Sequence, residues 1–204
     1  MKLYFATGAC SLAPHIALRE AGLPFTPVRV DLRAHKLEDG TDYHTINPKG
    51  YVPTLELDDG TRLTEAAVVL QYIADRVPGT LAPAFGGLER YRFMEWLNFI
   101  ATELHKGFGP LWKPDTPDAM KAIVKGNLAR RFEYLSATLA KRPFLTGERF
   151  TVADAYLFTV LNWSGMLGVD LAPFPVLTAY VARVAARPKV QEALQAEGLL
   201  KKAA

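Results

Sequence analysis

Cysteine is almost absent from this chain: one residue, Cys10, in 204. An intramolecular disulfide is therefore excluded, and such sparing use fits a reducing, cytoplasmic compartment. Long apolar runs are missing too. No stretch reaches the roughly eighteen residues of a membrane helix, and the N-terminus shows no apolar signal-peptide core. The four histidines (His15, His35, His44 and His105) are scattered without metal-ligand spacing, so no metal cofactor is expected. The net charge is only +3, and no basic cluster is interleaved with aromatics. Nucleic acid is thus not an expected partner, nor is a membrane. No repeat or low-complexity segment is visible. What is abundant is apolar surface: 50% of residues are hydrophobic, enough for one large core or two small ones.

The chain is organised around its first thirty residues. Lys2 to Thr7 reads as a short strand, and Leu12 to Glu20 as a helix with Leu12, Ile16 and Arg19 at i, i+4 and i+7. The turn between them carries Gly8-Ala9-Cys10-Ser11. Ser11 suits the N-cap, and Pro14 then falls in the first turn, where its missing N–H leaves no helical bond unmade. A thiol at a helix start faces unpaired N–H groups and the positive end of the macrodipole. Cys10 is therefore expected to titrate below the roughly 8.5 of a free cysteine. The alternative is a small buried apolar residue.

Gly22 and Pro24 end the helix, and Thr26 to Asp31 alternates as a second strand, making a βαβ unit with a parallel pair. Residues 32–50 are polar and read as an irregular loop. Pro53 stands at a strand start, and Asp58-Asp59-Gly60 between apolar runs signals a hairpin. A helix is predicted over Glu65 to Val77, with Ala66, Val69, Leu70, Ile73 and Ala74 on one face. Pro78 to Pro83 punctuates the chain as a linker. Beyond it the pattern is helical: Leu88 to Phe108, Pro117 to Leu139, a segment opened by Thr151, then 175–186 and 188–196. In the first of these, Phe93, Leu97, Ile100 and Leu104 share one side. Asn98, Thr102 and His105 make a polar stripe on another. Thr151 and Asp154 have capping-box spacing ahead of a nearly all-apolar helix.

The motifs Gly8-Ala9-Cys10-Ser11-Leu12, Asn47-Pro48-Lys49-Gly50, Val52-Pro53 and Thr64-Glu65-Ala66 resemble those of glutathione S-transferases, most closely the bacterial beta class. The resemblance spans the whole chain. It implies a thioredoxin-like α/β domain over residues 1–78 (βαβ then ββα) and an all-α domain over 86–204. It further implies a cis bond before Pro53, which would leave the Val52 N–H and C=O to hold a bound peptide as an added strand.

The implied activity is conjugation of the glutathione thiolate to a small hydrophobic electrophile, a detoxification chemistry, in a cytoplasmic homodimer. Glutathione is the co-substrate. Cys10, Ser11 and His105 are the implied catalytic residues, orienting and stabilising the sulfur, with His105 able to act as a protonated donor. Glutathione contacts are expected from His35, Lys36, Tyr51, Val52, Pro53, Glu65, Ala66, Asn98, Thr102 and Lys106. The family's lysine for the glycine carboxylate aligns with His35, with Lys36 beside it, so either could serve. Glu65 is placed to take the ligand ammonium, and the Ala66 and Ala67 N–H groups its carboxylate. Glu65 could instead merely complement the helix dipole, and Ser11 could be a plain cap. Asn98 and Thr102 are implied to act across the dimer interface. Phe108, Leu111, Trp112, Trp163 and Met166 could line the electrophile pocket or simply pack the core. Other classes activate the thiol with a tyrosine late in the first strand. Phe5 stands nearest that place here and Tyr4 lies mid-strand, so that route is disfavoured. A monothiol exchange reaction at Cys10 is a second activity to weigh, since Ala13 occupies the resolving-cysteine position. A non-catalytic binding module is the remaining alternative.

Overall fold

A computed structural model of the chain describes residues 1–200. Strand β1 (Lys2–Phe5) leads through the Gly8 turn into helix α1 (Leu12–Glu20) and back along β2 (Thr26–Asp31). β1 and β2 are parallel, with Tyr4 opposite Val28. Of the hairpin strands, β4 (Thr54–Glu56) runs antiparallel to β1, and β5 (Arg62–Thr64) runs antiparallel to β4. The loop after β2 is more ordered than its polarity suggests. Lys36–Leu37 form a short strand β3 on the far side of β2, and Tyr43–Thr45 make a 3-10 turn capped by Asp42. The sheet order is β3-β2-β1-β4-β5. A two-residue edge strand is too short to show an alternating pattern, so sequence periodicity misses it.

Alternation along β1 divides the sheet. Leu3 and Phe5 face the main core, while Tyr4 joins Val30, Tyr43 and Val52 on the other side. Helix α2 (Ala66–Asp75) buries the five residues its 3.6-residue period selects, Ala66, Val69, Leu70, Ile73 and Ala74.

The rest is helical: α3 (Leu88–Phe99), α4 (Lys106–Phe108), α5 (Asp118–Leu139), α6 (Val152–Leu161), α7 (Trp163–Met166), α8 (Pro175–Ala185) and α9 (Pro188–Ala196). The stretch expected as one helix over Leu88 to Phe108 is interrupted. Ile100–His105 forms a π-helical turn between α3 and α4, and Gly109–Trp112 a 3-10 turn after them. Helix α1 packs against α2, α6 and α9, so one continuous core runs from Leu3 to Leu194. Every residue of α6 is buried. At its start the Asp154 carboxylate closes the expected capping box and also reaches outside it. It accepts from Thr151 N (2.9 Å), Leu145 N (2.8 Å) and the Tyr180 hydroxyl (3.0 Å). Among the described residues no helix is long and apolar enough to cross a membrane.

Candidate functional site

The site forms where the Gly8 turn, the Val52-Pro53 segment, the start of α2 and the π-helical turn converge. The Val52-Pro53 bond is cis. The carbonyl of Val52 accepts the Cys10 thiol proton at 3.1 Å, while its N–H has no acceptor among the described residues. Cys10 is half-buried. Its own N–H, that of Ser11 and the charge of Lys106 all favour the thiolate, but burial outweighs them and pushes the thiol up to about 12. The expected low-pKa thiolate is thereby overturned. The helix-end effect is real but smaller than the cost of desolvating an anion.

Ser11 is corrected as well. It is fully buried with helical backbone angles and caps nothing. Its hydroxyl accepts from Ala6 N (3.1 Å) and donates to Ala6 O (3.2 Å), stitching α1 to the end of β1. It is therefore spent on the fold and is no donor to a ligand sulfur. Tyr4 is tied up too, its hydroxyl donating to Glu56 at 3.2 Å.

Glu65 has φ 66° and ψ 113°, and His35 has φ 50°; among the described residues they are the only non-glycine residues at positive φ. Such conformations cost of order 1–3 kcal/mol and cluster where function over-determines the backbone. At Glu65 the result is a helix start whose first intrahelical bonds come from Val68 and Val69 (2.9 Å each, to Glu65 O). The N–H groups of Ala66 and Ala67 have no acceptor among the described residues. The Glu65 carboxylate is already engaged by Lys49 Nζ (2.6 Å) and the Tyr51 hydroxyl (2.8 Å), and these hold it below the usual carboxylate range. Lys49 was not among the expected contacts, although its place in Asn47-Pro48-Lys49-Gly50 was visible.

His35 Nδ1 lies 3.1 Å from Gly50 O, and its ring packs on His44 with centroids 4.5 Å apart. Lys36 is exposed on β3. The loop thus carries His35 to the foot of the Tyr51-Val52 segment.

The π-helical turn breaks the expected polar stripe. Its wider winding leaves Asn98 and Thr102 exposed but turns His105 toward α6 and α7. His105 Nδ1 lies 2.7 Å from the Tyr156 hydroxyl, and its ring meets Trp163 edge-on at 5.0 Å. Burial, with the charge of Lys106, lowers its pKa to about 4. A protonated His105 is therefore ruled out near neutral pH, contrary to expectation. The charges of Lys106 and Glu65 act on His105, and that of Glu65 on Tyr156, which places these residues in one electrostatic neighbourhood.

Because the folded pKa of His105 lies below the roughly 6.5 of an unfolded histidine, the unfolded chain binds more protons between the two values. The stabilising contribution of neutral His105 is complete above about pH 6.5 and is lost as pH falls toward 4. Wild type should therefore lose about 2–3 kcal/mol more than His105→Asn across this window, measured by urea unfolding. Parallel stability curves would refute the assignment.

Phe108 and Trp163 are buried, whereas Trp112 and Met166 are open and Leu111 is intermediate. Trp163 stands edge-on to Phe108 (5.9 Å) and to Trp112 (5.6 Å). Clefts of about 640 and 420 Å³ elsewhere include none of these residues.

Two anchors of the Gly8 turn escaped sequence reasoning. Glu197 accepts from Gly8 N (2.9 Å) and pairs with buried His15 (2.8 Å), while Trp163 Nε1 donates to Gly8 O (2.9 Å). Nothing local signals a contact across 189 positions.

Comparison with known proteins matches residues 7–76 to the family model "Glutathione S-transferase, N-terminal domain" and residues 99–188 to "Glutathione S-transferase, C-terminal domain". The chain is 52% identical to glutathione S-transferase GstA of Escherichia coli O157:H7, covering 98% of this chain and 100% of that protein. A sphingomonad glutathione S-transferase solved in complex with glutathione superposes with a TM-score of 0.94 at 48% identity, over 98% of this chain and 100% of the other. A beta-class enzyme from Sphingomonas chungbukensis gives a TM-score of 0.94 at 47% identity, over the same shares.

Proposed function

Because this chain belongs to the glutathione S-transferase family, we propose that it binds glutathione along Val52 and conjugates the tripeptide's thiolate to hydrophobic electrophiles, as a beta-class enzyme. The observation that carries the reading is one juxtaposition: an open Val52 N–H, two free N–H groups at the start of α2, the Glu65 carboxylate, and His105 with Lys106 nearby. These meet the parts of glutathione in turn. Ala66 and Ala67 N–H groups take the γ-glutamyl carboxylate, and Glu65 shares its charge between Lys49 and the ligand ammonium. Val52 aligns the cysteinyl backbone, with Tyr51 and Pro53 flanking it. His35, or Lys36 on the neighbouring edge strand, takes the glycine carboxylate.

The sulfur then lies among neutral Cys10, neutral His105 and cationic Lys106, surroundings that favour an anion over a thiol. Sulfur attacks the electrophilic carbon, a carbon–sulfur bond forms, and the leaving group departs with its electron pair. Trp112, Met166 and Leu111 offer the electrophile a partly open apolar wall backed by Phe108 and Trp163.

The exposed apolar residues Tyr91 and Met94 on α3, with Ile123 and Tyr134 on α5, support a second copy packed there, bringing Asn98 and Thr102 to the interface. Residues 1–78 would carry most of the glutathione contacts, and 86–204 the electrophile wall. The cytoplasm, where glutathione is abundant and thiols stay reduced, is the fitting compartment.

Retention on immobilised glutathione, followed by assay with haloaromatic, epoxide and disulfide substrates, tests the reading. Retention without turnover would mark a binding module instead. Cys10 sharpens the test. With its pKa near 12, the thiolate fraction at pH 7 is on the order of 10⁻⁵. Thiol exchange should accordingly be slow at neutral pH and accelerate as pH rises. Cys10→Ala should retain conjugation within about threefold, since a neutral thiol bonded to Val52 neither repels nor strongly stabilises a neighbouring thiolate. Rapid glutathionylation of Cys10 by oxidised glutathione at pH 7, seen by mass spectrometry, would contradict this.

A further inference from the structure

Tyr156 reads in sequence as one more residue of an apolar helix, yet its hydroxyl is the single polar partner of His105 among the described residues. We propose that Tyr156 is a positioning residue that donates its hydroxyl proton to His105 Nδ1, thereby fixing His105 as the Nε2–H tautomer and aiming a neutral N–H donor at the glutathione sulfur. The inference rests on the transferase reading above and adds to it the direction of one hydrogen bond and the form of the imidazole.

Tyr156 is almost fully buried, and its hydroxyl has one hydrogen-bonding neighbour, Nδ1 at 2.7 Å. Were Nδ1 protonated and donating, the buried phenolic proton would have no acceptor among the described residues, at a cost of about 1–3 kcal/mol. The opposite direction satisfies both groups. Burial raises the Tyr156 pKa, and the Glu65 charge adds to it, so the phenol keeps the proton it donates. A neutral imidazole carries one N–H, and with Nδ1 accepting it must lie on Nε2. The Tyr156 and Trp163 rings, set edge-on at 89° and 70°, then hold the imidazole plane against rotation. The capping box that opens α6 sets where Tyr156 stands.

In this arrangement His105 is a donor to sulfur and not a base. It stabilises the thiolate by hydrogen bonding with no net charge, and the thiol proton leaves through solvent.

The test is nitrogen NMR of the full-length enzyme with ¹⁵N-labelled histidine at neutral pH, the His105 signals being identified as those missing in His105→Asn. The proposal expects a pyridine-type Nδ1 and a pyrrole-type Nε2 in wild type. In Tyr156→Phe, which keeps the ring and loses the hydroxyl, the two nitrogens should move toward averaged values. kcat should fall about fivefold to tenfold while KM for glutathione stays within about twofold. A pyrrole-type Nδ1 in wild type overturns the proposal, as does a Tyr156→Phe spectrum identical to wild type. The spectrum needs no turnover. A folded wild type with the expected tautomer but no conjugating activity would therefore count against the transferase reading alone.

Discussion

Asp154→Ala should lower the unfolding free energy by about 4 kcal/mol, seen as a displaced urea midpoint with an unchanged slope. The carboxylate is fully buried and serves donors from three parts of the chain: Thr151 N and Oγ1, Leu145 N, and the Tyr180 hydroxyl. Removing it strands the Thr151 and Leu145 donors in a buried interior and leaves the Tyr180 hydroxyl only the Asp154 backbone carbonyl at 3.3 Å, and a stranded buried donor costs more than a lost bond. The capping-box spacing alone anticipates only about 1 kcal/mol, the ordinary worth of a helix cap. The difference comes from Leu145 and Tyr180, whose contacts depend on how α5 and α8 pack around α6. Asp154→Asn, which keeps an acceptor of the same shape, should recover part of the loss. A midpoint within error of wild type for Asp154→Ala would mean that the network does not form.

The second large effect is on binding. Glu65→Ala should raise the dissociation constant of glutathione at least tenfold by calorimetry, because a charge-assisted bond to the ligand ammonium is worth roughly 1.5–3 kcal/mol. Cys10→Ala should change it no more than about twofold, as the Cys10 thiol is engaged with Val52 O. Lys49 sharpens the expectation, since it is freed when Glu65 is removed and would repel the same ammonium. Glu65→Gln, still able to accept from Tyr51, should fall between. If Glu65→Ala binds as wild type does, the carboxylate only complements Lys49 and the start of α2.

What the sequence yields and what it withholds divide along a physical line. Features set within a few residues are legible: α1 over Leu12 to Glu20, β2 over Thr26 to Asp31, the Asp59-Gly60 hairpin, the buried face of α2 and the Thr151/Asp154 box. Each follows from a period, a turn residue or a cap. What depends on surroundings is not. The Cys10 thiol lies beside a helix start, which alone would lower its pKa, but the packing that desolvates it comes from distant segments. Ser11 has an excellent cap residue's chemistry and is bonded to Ala6 instead. The i, i+4, i+7 stripe through His105 assumes a 3.6-residue turn, and the π-helical turn rotates it. The family motifs named Cys10, Val52, Glu65, His105 and Lys106, which the fold gathers into one neighbourhood. They could not name Tyr156, which is indistinguishable in sequence from core, or Glu197, 189 residues from the glycine it holds.

These surroundings should turn bound glutathione into a thiolate. This is tested most directly by titrating the thiolate absorbance of glutathione in the binary complex, with Cys10→Ala as host so that no protein thiol contributes. The bound thiol should ionise at least one pH unit, about 1.4 kcal/mol, below the roughly 8.5 of a free cysteine thiol, and Lys106→Ala should move it back toward that value. A bound thiol that titrates as it does in free solution would mean that His105 and Lys106 do not stabilise the thiolate.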